Sequence, residues 1–335
     1  MNDYPMRTVR LGNDDFHIVI NLDLGCEITY LGTKTRNVLA RYDWAAPVPA
    51  SLSTSYGDHA FDWLSEYRGG WQTLLPNAGD PCTVNGVPLP FHGEWSRTRV
   101  VVDYEDQCRI SVRSGLRLPL VGQRSIDVQP TNRSVTIRQS ITNIGGSATP
   151  FVWGEHPAFA LSPNSRLHIP ATTVRSSAVS VGTRQDVLVD AAGFWPMMPG
   201  LHDADVNVSI VPAEPAERLC YLPDVDGGWA VLQDSDISIA LSWDVAAFPH
   251  IWLWQEIGGE GFPWFGRSAI TAIEPQSSWP ASGLAAAIES GQAQWLDPRA
   301  SAEAWITVAL VDTLTGTPRS VDQAGVIDYE EARHA

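Results

Sequence analysis

Only one lysine, Lys34, occurs among the 335 residues. Schiff-base chemistry and lysine-dependent phosphate loops therefore have almost no material to work with. Positive charge is scarce throughout: 22 Lys and Arg stand against 38 Asp and Glu, a formal charge of −16 at pH 7. Nucleic acid and anionic membrane surfaces are bound by clustered basic side chains, so neither is an expected partner. Cysteine is sparse as well. Cys26, Cys82, Cys108 and Cys220 are widely spaced with no CxxC pair. In a chain of this size they read as buried thiols in a reducing compartment, not as a disulfide framework. No stretch reaches the roughly 18 apolar residues of a membrane-spanning helix. The N-terminus, MNDYPMRTVR, is polar and lacks the apolar core of a signal peptide. The expected compartment is the cytoplasm.

What the chain does have is apolar and aromatic material. Hydrophobic residues make up 44%, enough for a large core, and there are 14 tryptophans, eight of them between Trp229 and Trp305. Indoles fill cores, but their flat faces also pack on the C–H face of a pyranose. Short runs separated by Gly, Asn or Asp carry strand signals: TVRLG, FHIVINL, CEITYLG, RTRVVVDY, CRISVRSGLRLPL, DISIALSWD, HIWLWQEI and AWITVALVD. QPTNRSVTIRQSITNIG reads as a hairpin turning at 130–133, with Val135, Ile137 and Ile141 on one side. Helical periodicity is confined to DHAFDWLSEY (58–67) and SGLAAAIESG (282–291). Pro-rich patches at 46–50 and 195–199 read as loops, and no repeat period appears. Many short strands with frequent turns predict an all-β sandwich or barrel. Residues 1–314 are expected as a single domain, and 315–335 as a polar, loosely attached C-terminal tail.

Three segments carry candidate chemistry. PNAGDPCTVNGVPLPFHGE (76–94) is a loop-rich stretch closing on His92-Gly93. WGEHPAF places His156 in an apolar run. In GFPWFGRSAITAIEPQSSWP, Glu274 precedes Pro275, which predicts a strand end facing a cleft. Each residue also has a plain structural use: a loop histidine, a histidine capping a carbonyl, a strand-end ion pair. Glu155 could orient His156, but successive strand residues face opposite ways, which favours a partner from another strand.

In this order, the His-Gly loop, the His-Pro-x-Phe after an aromatic strand and the Glu-Pro near the C-terminus resemble the aldose 1-epimerase (galactose mutarotase-like) superfamily. The resemblance spans about residues 8–312, including the opening DDFHIVINLDLGCEITYLGTKTRNVL and the closing GQAQWLDPRASAEAWITVAL. It implies a large antiparallel β-sandwich with the sugar site on its concave face. It implies a cofactor-independent isomerase that opens a cyclic hemiacetal by acid–base catalysis. Glu274 matches the family's base and His156 its acid, while His92 matches a second histidine that binds and polarises the sugar. Histidine suits this work because its ordinary pKa, about 6.5, allows proton exchange near neutrality.

The chain departs from galactose-type members. Those carry an arginine-containing loop before the first histidine, and Asn-His-Ser where this chain has Glu-His-Pro; here the loop is GGWQTLLPNAG. Expected sugar contacts are Asn77, Trp254, Gln255 and Arg267. The amides donate and accept toward vicinal hydroxyls, and Arg267 either pairs with an anionic substituent or makes a structural ion pair. His250 and Glu256 could join the two histidines around a metal, but the close two-histidine-plus-carboxylate spacing is missing, so no metal is expected. The leading expectation is a mutarotase for a free aldose or aldose derivative, as monomer or homodimer. The alternatives are a mutarotase for a sulfo- or phospho-hexose, a non-catalytic carbohydrate-binding protein, and a metal-dependent β-fold isomerase.

Overall fold

Alternation of apolar and polar residues is clearest in the hairpin read from the sequence. Strands Leu120–Gln129 and Ser134–Asn143 pair without a break from Leu120↔Asn143 to Gln129↔Ser134. The turn is a short 3-10 segment, Pro130–Asn132, followed by Arg133 in the left-handed region at φ 47°. Ile126, Val128, Val135, Ile137 and Ile141 share one buried face, because strand side chains repeat with period two. The computed structural model, which describes residues 6–42, 57–314 and 316–330, assembles such strands into two main antiparallel sheets. One has eight strands and the other 13. Their inner faces enclose one large core that includes Phe16, Trp71, Trp95, Phe151, Phe248 and Ile306. The all-β sandwich expectation holds, with two short helices, His59–Glu66 and Gly283–Glu289, where the periodicity placed them.

Strands Arg109–Gly115, Leu120–Gln129 and Ser134–Asn143 of the eight-strand sheet show one face to water. The middle of the larger sheet does not. Strand Gly154–Phe159 is buried at every position, and Ala269–Gln276 and His250–Ile257 nearly so. Burial on both faces accounts for their near-continuous apolar runs. These strands are neighbours: Gly154–Phe159 lies beside Ala269–Gln276, which lies beside His250–Ile257.

A polar knot crosses the core between the sheets. The Glu155 carboxylate, fully buried, accepts from Trp71 Nε1 at 2.6 Å, Thr73 Oγ1 at 3.0 Å, Gln139 Nε2 at 2.6 Å and Arg124 Nη2 at 3.4 Å. Trp71 and Thr73 belong to the larger sheet, Arg124 and Gln139 to the smaller. Glu155 therefore points into the sandwich, and its neighbour His156 points out of it.

Three expectations need correction. Pro275 does not end its strand: Ala269–Gln276 runs through it, with Pro275 opposite Ile251. What stops is the ladder on the other side. Pairing with the histidine strand holds at Gly154↔Gln276, Ala158↔Ala272 and Phe159↔Thr271 and lapses between them, where Pro157 and Pro275 have no N–H to give. The stretch after Leu314 is not a loose tail. Strands Thr317–Val321 and Ile327–Glu330 form a hairpin whose Val321 and Ile327 pack on Val231, Ala240 and Ala309. It buries one side only, which is why its sequence reads as polar. Of the Pro-rich patches, 46–50 lies outside the described residues, whereas 195–199 holds a turn at Trp195–Pro196 between short strands Ala192–Phe194 and Met197–Pro199.

Replacing Arg124 by Met should leave the Glu155 charge buried without its cation. The expected loss is about 3–5 kcal/mol of unfolding free energy in urea titrations. The double variant Arg124→Met/Glu155→Gln should recover part of it, since neutral side chains remove the uncompensated charge.

Candidate active site

On the outward face of the larger sheet, the register Gly154↔Gln276 and Ala158↔Ala272 sets His156 opposite Glu274. His156 Nε2 lies 3.5 Å from Glu274 Oε1. On the far side of Glu274 the cross-strand neighbour is Trp252, and on the far side of His156 it is Gln72. Four strands thus present Gln72, His156, Glu274 and Trp252 in a row across one face.

The loop 76–94 delivers His92 to the same place. It closes through two consecutive left-handed residues, His92 at φ 59° and Gly93 at φ 75°. A side chain at Gly93 would meet the carbonyl oxygens of Leu75 and Asn77 at 2.5 and 2.6 Å, so only glycine fits. Gly79 N–H donates to His92 Nδ1 at 3.1 Å. The proton of the neutral ring therefore sits on Nε2, leaving that nitrogen a hydrogen-bond donor. The His92 and His156 ring centroids are 5.6 Å apart.

Aromatic side chains roof the cluster. Trp63, from helix His59–Glu66, stacks on Tyr67 at 4.4 Å and meets His92 and His156 edge-on at 4.7 and 5.8 Å. Trp254 lies 5.7 Å from His156 and 5.8 Å from Trp264. Ala158 and Ala272 form a low floor beneath this group. The exposures of His156, Glu274 and His92 are 1%, 2% and 6%, so the site is closed over. Two surface hollows lie elsewhere, one of about 350 Å³ lined by Trp195 and Trp229, the other of about 680 Å³ on the smaller sheet beside Trp305.

Burial governs the charge states. Glu274 has one amide donor, Gln276 Nε2 at 3.3 Å, and burial raises its carboxyl well above the usual carboxylate range. Burial lowers His156 to about 4. His92 is driven well below its ordinary value by burial first and by the neighbouring His156 second. Low dielectric disfavours the charged form of each. The pair accordingly holds one proton, on Glu274, beside a neutral imidazole.

The other sequence candidates divide. Trp254 is half-buried in the roof. Gln255 is on the opposite face from Trp252 and Trp254, fully buried, accepting from Arg218 Nη1 at 2.9 Å. Asn77 is consumed by loop closure: its Nδ2 donates to the carbonyls of Asp80 and Pro90 at 2.8 and 2.9 Å, and its Oδ1 accepts from Leu284 N–H at 2.6 Å. Arg267 is exposed, on the loop that also carries Trp264, with its Nε–H 3.5 Å from the Trp264 carbonyl. His250 Nδ1 accepts from Asp224 N–H at 3.2 Å. Glu256 faces Glu217, and burial with that like-charged neighbour lifts it to about 8. Among the described residues no three His, Cys, Asp or Glu side chains gather as a metal site. Trp63, Tyr67, Trp252, Gln72 and Gln276 were not anticipated. The signal for two of them was present: Trp63 and Tyr67 are four residues apart in DHAFDWLSEY, hence on one helix side.

No family model matches the sequence, and no curated protein does. Solved structures do. The Slr1438 protein from Synechocystis sp. PCC 6803 superposes with a TM-score of 0.67 at 20% identity, covering 92% of this chain and 98% of its own. A galactose mutarotase related enzyme from Lactobacillus acidophilus gives 0.61 at 14% identity, covering 92% and 98%. A galactose mutarotase-like protein from Lactobacillus casei gives 0.56 at 16% identity, covering 91% and 100%. Over nearly its whole length, then, the chain has the galactose mutarotase-like fold.

Proposed function

We propose that this protein is an aldose 1-epimerase that interconverts the α and β anomers of a neutral free aldose without a cofactor. The observation that carries the reading is the opposed pair, Glu274 and His156, 3.5 Å apart on neighbouring strands and sealed from water. Opening a cyclic hemiacetal needs one proton removed and one supplied. Glu274 takes the proton of the C1 hydroxyl. The C1–O5 bond breaks, its electrons pass to O5, and O5 takes a proton from His156. C1 is then an aldehyde carbon, free to rotate about C1–C2. Reclosure on its other face returns both protons, so the pair ends as it began. Through its Nε2–H, His92 donates to a sugar oxygen.

The ligand-free pair has the right proton count in its resting tautomer. Burial keeps that proton on Glu274. A sugar donating to the carboxyl and accepting from the imidazole stabilises the charge-separated arrangement that the empty site disfavours. The sugar reaches the pair by parting the roof of Trp63, Tyr67, Trp254 and Trp264, whose faces then serve the pyranose ring. A sugar with an acidic substituent is the second reading, and exposed Arg267 is what favours it.

Saturation-transfer NMR on a panel of aldoses should show accelerated anomer exchange with the wild-type protein. Glu274→Gln and His156→Asn should each lose at least about two orders of magnitude. His92→Asn should raise the sugar concentration needed as well as slow exchange. Sugar binding that survives Glu274→Gln, with no exchange detected in wild type, would instead mark a carbohydrate-binding protein.

The same variant has a stability signature. The raised Glu274 carboxyl favours folding fully below its unfolded value, about 4.5, and that contribution is lost as pH rises toward the folded value. Glu274→Gln should therefore melt higher than wild type at pH 8, with the difference closing toward pH 4, in scanning calorimetry.

A further inference from the structure

The buried amide of Gln276 stands in a place that the backbone has cleared for it. Gln276 is fully buried, two residues past Glu274, and lies opposite Gly154 in the sheet. A methyl group at Gly154 would sit 1.7 Å from Gln276 Oε1 and 2.5 Å from its Nε2. Gly154 is not in the left-handed region, so no turn asks for glycine there. What asks for it is the amide. From that position Gln276 Nε2 reaches Glu274 Oε2 at 3.3 Å, and the carboxyl's other oxygen, Oε1, faces His156 Nε2. Among the described residues the amide oxygen has no partner.

We propose that Gln276 is a positioning residue: its amide N–H fixes one oxygen of Glu274 so that the other meets His156 and the substrate, and Gly154 is glycine to admit it. The proposal rests on the epimerase reading for its consequence in catalysis, but its physical content does not. The other titratable groups facing Glu274 are His156 from the neighbouring strand, Tyr67 from the turn after the helix, and Tyr221 from strand Ala216–Leu222. None supplies a fixed positive charge, so the Gln276 amide is what favours the ionised carboxylate.

The test uses the whole protein with 13C-labelled glutamate side chains, following the Glu274 carboxyl by NMR across pH. Gln276→Leu removes the donor at similar volume, and Gly154→Ala pushes the amide aside. In both, the Glu274 midpoint should move upward from the wild-type value. Anomer exchange at neutral pH should fall about tenfold in kcat with little change in KM. A midpoint that moves even where no protein exchanges any sugar still supports the positioning role while sinking the epimerase reading. An unmoved midpoint in Gln276→Leu overturns the proposal, whatever the rate does. If Gly154→Ala does not fold, the Leu variant alone decides.

Discussion

Period two in one six-residue strand decides which side chain faces the core and which faces the candidate site. Gly154–Phe159 turns Glu155 inward and His156 outward. Glu155 is held by four donors, two from each sheet, and a buried carboxylate so held cannot slip by one residue without losing them all. The knot thus fixes the register that carries His156 to Glu274. The geometry of the outer face is anchored by polar contacts on the inner one, and the two adjacent residues face opposite ways for that reason.

Enclosure does the rest. Two ionisable groups in a dry setting rest as neutral partners, and Trp63, Tyr67, Trp254 and Trp264 keep the setting dry. Such a pair is a poor stabiliser of the fold, because burial disfavours the charged form of each partner. His92, in a left-handed conformation that few non-glycine residues adopt, joins from a loop fastened by Asn77 and Gly93. The interrupted ladder at Pro157 and Pro275 falls at the His156–Glu274 pair, so these two strands are least tied together where the two side chains meet.

Several expectations from the sequence meet a different structure, each for its own physical reason. Trp254 and Gln255 were both expected to touch a sugar, yet neighbours on a strand face opposite ways, and Gln255 went to the side of Arg218. That information was in the sequence. For Asn77 it was not: whether an amide reads a ligand or ties a loop depends on carbonyls of Asp80 and Pro90 and on the N–H of Leu284, which a single sequence does not locate. Pro275 was expected to end a strand because proline lacks a donor. The strand continues because its ladder with His250–Ile257 is retained through that position. The hairpin after Leu314 was missed because a one-sided apolar stripe of two residues is too short to show a period.

The sequence by itself determined strands with clear alternation, such as Leu120–Gln129 and Ser134–Asn143 with their hairpin at 130–133, both helices, and the residue types able to exchange a proton, since these follow from local alternation and from side-chain chemistry. Only the tertiary structure decided that His156 and Glu274 lie opposite each other, that Gln276 and Gly154 fit together, and that Trp63 covers them. Those relations join elements far apart in the chain, and their placement is set by core packing that no local pattern encodes.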